Sequence, residues 1–167
     1  MNARILRKPD SLADDSFPRQ SYPPGRILIV NDDTCLGELN AEALRQHGYD
    51  ANTASDGQAG WEELQTNHYH LLITENDLPG LSGVGLVKKL RAACMPLPVI
   101  MVTEALPSWK SPEYSWLLKA TRLLKPYSCE ELRRMVINVL NAAVSTRKKV
   151  APPPAWQLRP RANRFRP

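Results

Sequence analysis

The sequence predicts an open α/β sheet in which five parallel strands alternate with helices that cover both of its faces. Two observations predict it. Short apolar runs of the kind found in fully buried strands recur along residues 26–144, and helical apolar periodicity fills the intervals between them. Because parallel strands need crossover connections, and these are right-handed and usually helical, the alternation indicates a doubly wound sheet.

The elements follow one another at regular intervals. The predicted strands are RILIV, YDANTA, HLLIT, PVIMVT and TRLL, at residues 26–30, 49–54, 70–74, 98–103 and 121–124. The predicted helices cover residues 35–48, 58–67, 83–93, a short stretch near 112–120, and 128–144. Asp32, Asp33 and Thr34 are residue types that start helices, and Gly48 is typical of a helix end. Ser128 and Glu131 have the spacing of a capping box.

Two of these helices have clear apolar faces. In the first helix we expect the buried stripe to contain Leu36, Leu39, Ala43 and Leu44. In the last helix the expected face contains Leu132, Met135, Val136, Val139, Leu140 and Ala143. Both stripes indicate helices that lie against the sheet.

Residues 1–24 and 145–167 are predicted to be flexible, largely disordered tails around a domain at residues 25–144. The tails hold 9 of the 15 prolines, which is incompatible with long helices. Residues 145–167 carry seven basic side chains and no acidic one, so the excess positive charge lies in the C-terminal tail. Two interpretations stay open for this tail: a solvated appendage, or an arm that binds nucleic acid or another anionic partner through residues 147–166.

Several classes of protein are disfavoured. Cys35, Cys94 and Cys129 are odd in number and widely spaced, which supports neither a disulfide framework nor a zinc site. The chain lacks a predicted membrane span and a signal peptide, so we expect a cytoplasmic protein. It also lacks a P-loop, a GxSxG motif and a phosphate-cradling loop for a flavin, so we do not expect an enzyme.

Polar side chains follow four of the predicted strands. Because the carboxyl ends of parallel strands lie at one edge of the sheet, we expect these side chains to converge there. Carboxylates are ligands that Mg²⁺ prefers, and a hydroxyl and an ammonium opposite them could hold phosphoryl oxygens. Each residue alone also fits a cap or a turn. The residues concerned are Asn31, Asp32, Asp33, Glu75, Thr103 and Lys125.

As an ordered set, these motifs carry a resemblance. The segments ILIVNDD, LLITENDLPGLSG, LPVIMVTEA and LLKPYSCEEL, within residues 26–142, resemble the receiver domain of two-component response regulators. The resemblance implies a flavodoxin-like (βα)5 sandwich with strand order 2-1-3-4-5. It also implies a role in phosphorelay signalling, with a histidine kinase or another signalling protein as partner.

The resemblance assigns roles to individual residues. Glu75 matches the phospho-acceptor position, and Asp32 matches a ligand of the Mg²⁺ ion. Asp77 matches the residue whose backbone carbonyl helps to bind that metal. Thr103 and Lys125 match the hydroxyl and the amine that contact the phosphoryl group.

Four positions depart from the family pattern. Asn31 replaces an acid of the metal site, which is expected to weaken Mg²⁺ binding, although Asp33 could partly substitute. Glu75 replaces the acceptor aspartate and moves the carboxylate outward by about 1.5 Å, a single-bond length. Glu104 stands where a small residue is usual, and Arg122 where an aromatic switch residue is usual.

These departures favour a stand-alone pseudo-receiver that acts by protein–protein interaction, with phosphorylation weakened or absent. Misplacing a nucleophile by this much can slow a reaction about a hundredfold. Glu75 is also long enough to reach Lys125 or Thr103 and to imitate a phosphorylated aspartate. Two alternatives stay open: a Mg²⁺-dependent switch that is still phosphorylated, on Glu75 or Asp77, and a binder of nucleic acid or another anionic partner acting through the basic tail.

Overall fold

The structure, a computed structural model, describes residues 25–104 and 120–149. The strands are β1 (Arg26–Val30), β2 (Asp50–Ala54), β3 (Leu71–Glu75), β4 (Val99–Thr103) and β5 (Thr121–Leu124). The helices are α1 (Thr34–Arg45), α2 (Gly57–Thr66), α3 (Gly83–Ala92) and α4 (Cys129–Lys149). The predicted helix near residues 112–120 and most of both predicted tails lie outside the described residues.

The five strands form one parallel sheet in the order β2-β1-β3-β4-β5, which confirms the predicted fold class. Every residue of β3 and β4 is buried, as expected for central strands covered on both faces. The pairing register places Glu75 opposite Val102 and Thr103 opposite Leu124. The carboxyl ends of β3, β4 and β5 therefore lie together at one edge of the sheet.

The sheet has a hydrophobic core on each face because alternate strand residues point to opposite sides. On one face, Leu28, Val30, Leu72 and Met101 belong to a buried cluster with Leu64 of α2 and with Leu86, Val87 and Leu90 of α3. On the other face, Ile27, Ile29, Ile73 and Val102 belong to a cluster with Ala41 and Leu44 of α1 and with Leu132 and Val136 of α4. The helices packed on the two faces thus fix the position of the sheet edge that carries the polar residues.

Helix α1 differs from its prediction in the side that it buries. Leu39, predicted to be buried, is 58% exposed, whereas Asn40 is only 2% exposed. The inward position suits Asn40 because its Nδ2 donates a hydrogen bond of 2.9 Å to the Tyr127 hydroxyl, so the buried amide has a partner. Leu44 is buried as predicted. The prediction of Leu39 as a core residue was therefore wrong.

Helix α4 begins as predicted and ends later. The Ser128 Oγ accepts from the backbone N–H of Glu131 at 3.2 Å, and the Glu131 carboxylate accepts from the backbone N–H of Ser128 at 2.8 Å, which confirms the capping box. The helix continues to Lys149 instead of ending at Val144. Neither α4 nor any other helix in the described ranges is long and apolar enough to cross a membrane.

Candidate functional site

A polar pocket of about 240 Å³ lies at the carboxyl edge of the sheet, where the sequence predicts a site. It is lined by Asp32, Glu75, Asn76, Asp77, Val102, Thr103, Glu104 and Lys125. Asn31 contacts Glu75 from the end of β1. Neither Asp33 nor Arg122 is among the lining residues, although both were predicted to contribute. The structure thus brings together most of the predicted site.

Glu75 lies at the centre of the interactions in this pocket. It is the last residue of β3 and is 8% exposed, so its carboxylate needs partners. The Oε1 atom of Glu75 lies 2.7 Å from the Lys125 Nζ, which confirms the expected reach of the longer side chain. Lys125 follows β5, two strands away from β3, at about 4.8 Å per strand. Two long side chains are well suited to bridge that gap.

Asn31 provides a second donor to the same carboxylate oxygen. Its Nδ2 donates to the Glu75 Oε1 at 2.9 Å, and its Oδ1 accepts from the backbone N–H of Asp33 at 2.8 Å. An aspartate at position 31 would place a second carboxylate against Glu75 instead of a donor. The departures at positions 31 and 75 are therefore chemically complementary.

Lys125 is held in its charged form by the groups around it. Partial burial acts to lower the pKa of its ammonium, but the hydrogen bond and negative charge of Glu75, with smaller effects from Tyr127 and Glu104, outweigh burial and raise that pKa. The backbone N–H of Lys125 also donates to the Thr103 carbonyl at 3.0 Å. The ammonium is thus fixed close to the ends of β3 and β4.

Tyr127 is a neighbour of the site that the sequence motifs did not identify. It follows Lys125 and Pro126, which are joined by a cis peptide bond, and its hydroxyl accepts from Asn40. Burial and the nearby Glu75 raise the pKa of Tyr127. Asn40 lies four residues from both Leu36 and Leu44, at the helical spacing of the buried side of α1. An amide at such a position needs a buried hydrogen-bond partner, and that was the sequence signal for a residue such as Tyr127.

The predicted Mg²⁺ ligands do not form a metal site in this arrangement. The Asp33 Oδ1 accepts from the backbone N–H of Leu36 at 3.0 Å and thereby caps α1. The Glu75 Oε1 already accepts from two donors. Within residues 25–104 and 120–149, no three acidic, histidine or cysteine side chains are grouped to hold a metal ion. As arranged, these side chains do not form a full set of Mg²⁺ ligands.

Of the remaining predicted residues, Thr103 and Glu104 line the pocket and Arg122 lies outside it. Thr103 is 8% exposed and lines the pocket at the end of β4. Glu104 is exposed at the rim, where its charge contributes to the raised pKa of Lys125. Arg122 is exposed on β5, opposite Met101 of β4, outside the pocket lining.

Proteins of known structure share this fold. A CheY-like response regulator receiver domain from Methanospirillum hungatei matches with a TM-score of 0.65 and 25% identity, over 73% of this chain and 98% of that one. The response regulator TrrA of Thermotoga maritima, in complex with Mg²⁺ and BeF, matches with a TM-score of 0.59 and 26% identity, over 69% of this chain and 98% of that one.

Curated relatives are longer proteins. The transcriptional regulatory protein RprY of Bacteroides fragilis is 31% identical over 74% of this chain and 52% of its own length. The two-component response regulator-like protein APRR5 of Arabidopsis thaliana is 30% identical over 81% of this chain and 25% of its own length. The chain thus spans about half or less of the length of these relatives.

The sequence model of the response regulator receiver domain matches residues 27–137, which include β1 except for Arg26, the four other strands and the first part of α4. Receiver domains interact with histidine kinases and other signalling proteins, typically bind Mg²⁺ during phosphorylation, and are generally not enzymes. This chain belongs to the response regulator receiver domain family of two-component signalling.

Proposed function

We propose that this protein is a pseudo-receiver: a signalling module that acts by docking to a protein partner, with phosphorylation weakened or absent. The observation that carries the proposal is the contact of 2.7 Å between the Lys125 Nζ and the Glu75 Oε1. In the family pattern that lysine contacts the phosphoryl group, whereas here it already has an anionic partner. The site therefore has a charge pair without any added phosphate.

The geometry around Glu75 acts against phosphoryl transfer in three ways. The extra methylene moves the nucleophilic carboxylate by about 1.5 Å, and transfer depends on in-line placement. The Oε1 atom already has two hydrogen-bond donors, so attack through that oxygen would disturb both contacts. Glu104 adds negative charge at the rim, which repels an incoming phosphoryl donor.

The loss of metal affinity is part of the same proposal. Asn31 supplies an amide where a carboxylate would supply charge, and that amide is committed to Glu75 and to the backbone of Asp33. Asp32 is exposed and still lines the pocket, so weak Mg²⁺ binding through it is compatible with the arrangement. We propose that Mg²⁺ binds more weakly here than in a receiver with two acids at the end of β1.

Incubation with acetyl phosphate and Mg²⁺, read by intact mass, tests this proposal. We expect the unmodified protein to gain a phosphoryl group at least about a hundredfold more slowly than the double variant Asn31→Asp, Glu75→Asp. That variant restores both acids of the family pattern, and the single variant Glu75→Ala is the matched negative control.

A stoichiometric phosphoryl gain by the unmodified protein that is lost in Glu75→Ala would contradict the proposal and favour a working switch. A gain that persists in Glu75→Ala but is lost in Asp77→Asn would assign the acceptor to Asp77. That outcome would also overturn the proposed absence of phosphorylation.

A further inference from the structure

A second depression lies at the opposite edge of the sheet from Glu75. It has a volume of about 500 Å³, within the usual range for ligand-sized sites. The apolar part of its lining comes from the α3–β4 connection and from α4: Met95, Pro96, Leu97, Leu140, Ala143 and Val144. Val144 is 43% exposed, a large exposed fraction for an apolar side chain. We call this depression the basal groove.

The chain enters the described fold beside this groove. Gly25 is buried, and a Cβ atom built on it would lie 3.3 Å from the Leu140 Cδ1. At the next residue, the backbone N–H of Arg26 donates to the Nδ1 of His70 at 2.9 Å. Leu140 and His70 both line the groove. The 24 residues that precede Gly25 therefore start at its edge.

We propose that residues 17–24 of this chain, FPRQSYPP, occupy the basal groove, with Tyr22 as the main anchor. Tyr22 is three residues from Gly25, so its Cα lies within about 10 Å of the groove edge in any conformation. Tyrosine and phenylalanine bury large areas, and the three prolines reduce the entropy lost on docking. The inference is independent of the proposed pseudo-receiver function.

Charge and position favour this segment over the C-terminal one. The charged group fixed at the groove is Arg91, whose Nη1 donates to the carbonyls of Met95 at 3.0 Å and Leu97 at 2.8 Å. Residues 145–167 carry seven basic side chains and no acidic one, so Arg91 would repel them more strongly than residues 17–24, whose only charged side chain is Arg19. Helix α4 also carries the chain about 7 Å past Val144 before residue 150.

A cysteine at the groove supplies an internal reporter. Cys94 is exposed and belongs to the groove lining, while Cys35 and Cys129, also exposed, do not belong to it. If residues 17–24 cover the groove, a thiol reagent should reach Cys94 more slowly than the two other cysteines. The ratio of alkylation rates within one molecule thus measures coverage of the groove.

The experiment uses the full chain, limiting N-ethylmaleimide and peptide mass mapping of all three sites. We expect the double variant Phe17→Ala, Tyr22→Ala to raise the rate at Cys94 about tenfold relative to Cys35, as expected from losing the burial of an aromatic side chain. The matched control, Gln20→Ala with Ser21→Ala in the same segment, should leave the ratio unchanged. All four substituted positions lie outside the described residues.

Three results would overturn the inference. The first is an unchanged rate ratio in the double variant. The second is a rise of the ratio in Trp156→Ala, which would assign the groove to the C-terminal segment. The third is a ratio in the unmodified protein that changes with protein concentration, which would assign the groove to a second copy of the chain.

Discussion

Replacing Gly83 with alanine is expected to lower the free energy of unfolding by about 3 kcal/mol or more. A Cβ built on Gly83 would lie 1.8 Å from the backbone oxygen of Glu75 and 2.8 Å from its carbonyl carbon. Helix α3 cannot retreat easily because the backbone N–H of Gly83 donates to the Asn76 carbonyl at 3.0 Å. The clash is with the end of β3 itself, so the substitution also displaces Glu75. Urea denaturation followed by circular dichroism measures the loss.

A second glycine provides the matched control. A Cβ built on Gly37, inside α1, would lie 3.5 Å from the Asn31 Cβ, which is an ordinary contact. Because alanine is favoured over glycine in helices, Gly37→Ala should raise the free energy of unfolding by about 0.5–1 kcal/mol. A Gly83→Ala protein within about 1 kcal/mol of the unmodified one would contradict the packing of α3 against the end of β3.

Removing the ammonium of Lys125 is expected to cause the second large loss of unfolding free energy. Lys125→Met leaves the nearly buried carboxylate of Glu75 without a cationic partner. Breaking a buried ion pair costs about 3–5 kcal/mol, but the Lys125 side chain is 28% exposed, so we expect about 2 kcal/mol at neutral pH. Adding Glu75→Gln to this variant should recover part of the loss, because the amide is neutral and similar in shape.

A double-mutant cycle isolates the pair itself. We expect a coupling energy of about 1–2 kcal/mol between positions 75 and 125. The pair of Arg133 and Glu130, 2.6 Å apart on α4, serves as the control because the Glu130 side chain is 54% exposed, against 10% for Glu75. Its coupling energy should stay below about 1 kcal/mol. Equal coupling energies in the two pairs would mean that burial adds nothing at the site.

The same pair gives a pH dependence with a definite sign. The folded state raises the pKa of Lys125 above its ordinary value of 10.5, so the protonated ammonium contributes stability that is fully present below that unfolded value. That contribution is lost as pH rises through the higher folded value. The difference in unfolding free energy between the unmodified protein and Lys125→Met should therefore shrink between pH 9 and pH 12, and a difference that grows would be contrary to this assignment.

The fold was predictable because each of its signals is local and repeated. The continuous apolar runs of β1, β3 and β4 are typical of central strands that are buried on both faces. The capping box of Ser128 and Glu131 predicts the start of α4 from only four residues of sequence. The side that α1 buries was less predictable. An apolar spacing favoured Leu39, but the hydrogen bond between Asn40 and Tyr127 depends on two residues far apart in sequence.

The candidate site, like the fold, has features that the sequence predicts and features that it does not. Topology placed Glu75, Thr103 and Lys125 at one edge, because strand ends in a parallel sheet must meet there. Sequence alone could not tell that Asn31 donates to Glu75, since an amide can also accept. The sequence also could not decide whether Asp33 is a metal ligand or a helix cap. In the structure, its side chain caps α1.

The most direct test of the pseudo-receiver proposal is whether the site accepts a phosphoryl analogue at all. Amide NMR spectra of the ¹⁵N-labelled protein, recorded with Mg²⁺ while beryllium fluoride is added, report on Thr103 and Lys125 without depending on transfer rates. The pseudo-receiver account predicts no change in the unmodified protein and saturable shifts at both residues in the variant Asn31→Asp, Glu75→Asp. Saturable shifts of Thr103 and Lys125 in the unmodified protein would contradict it.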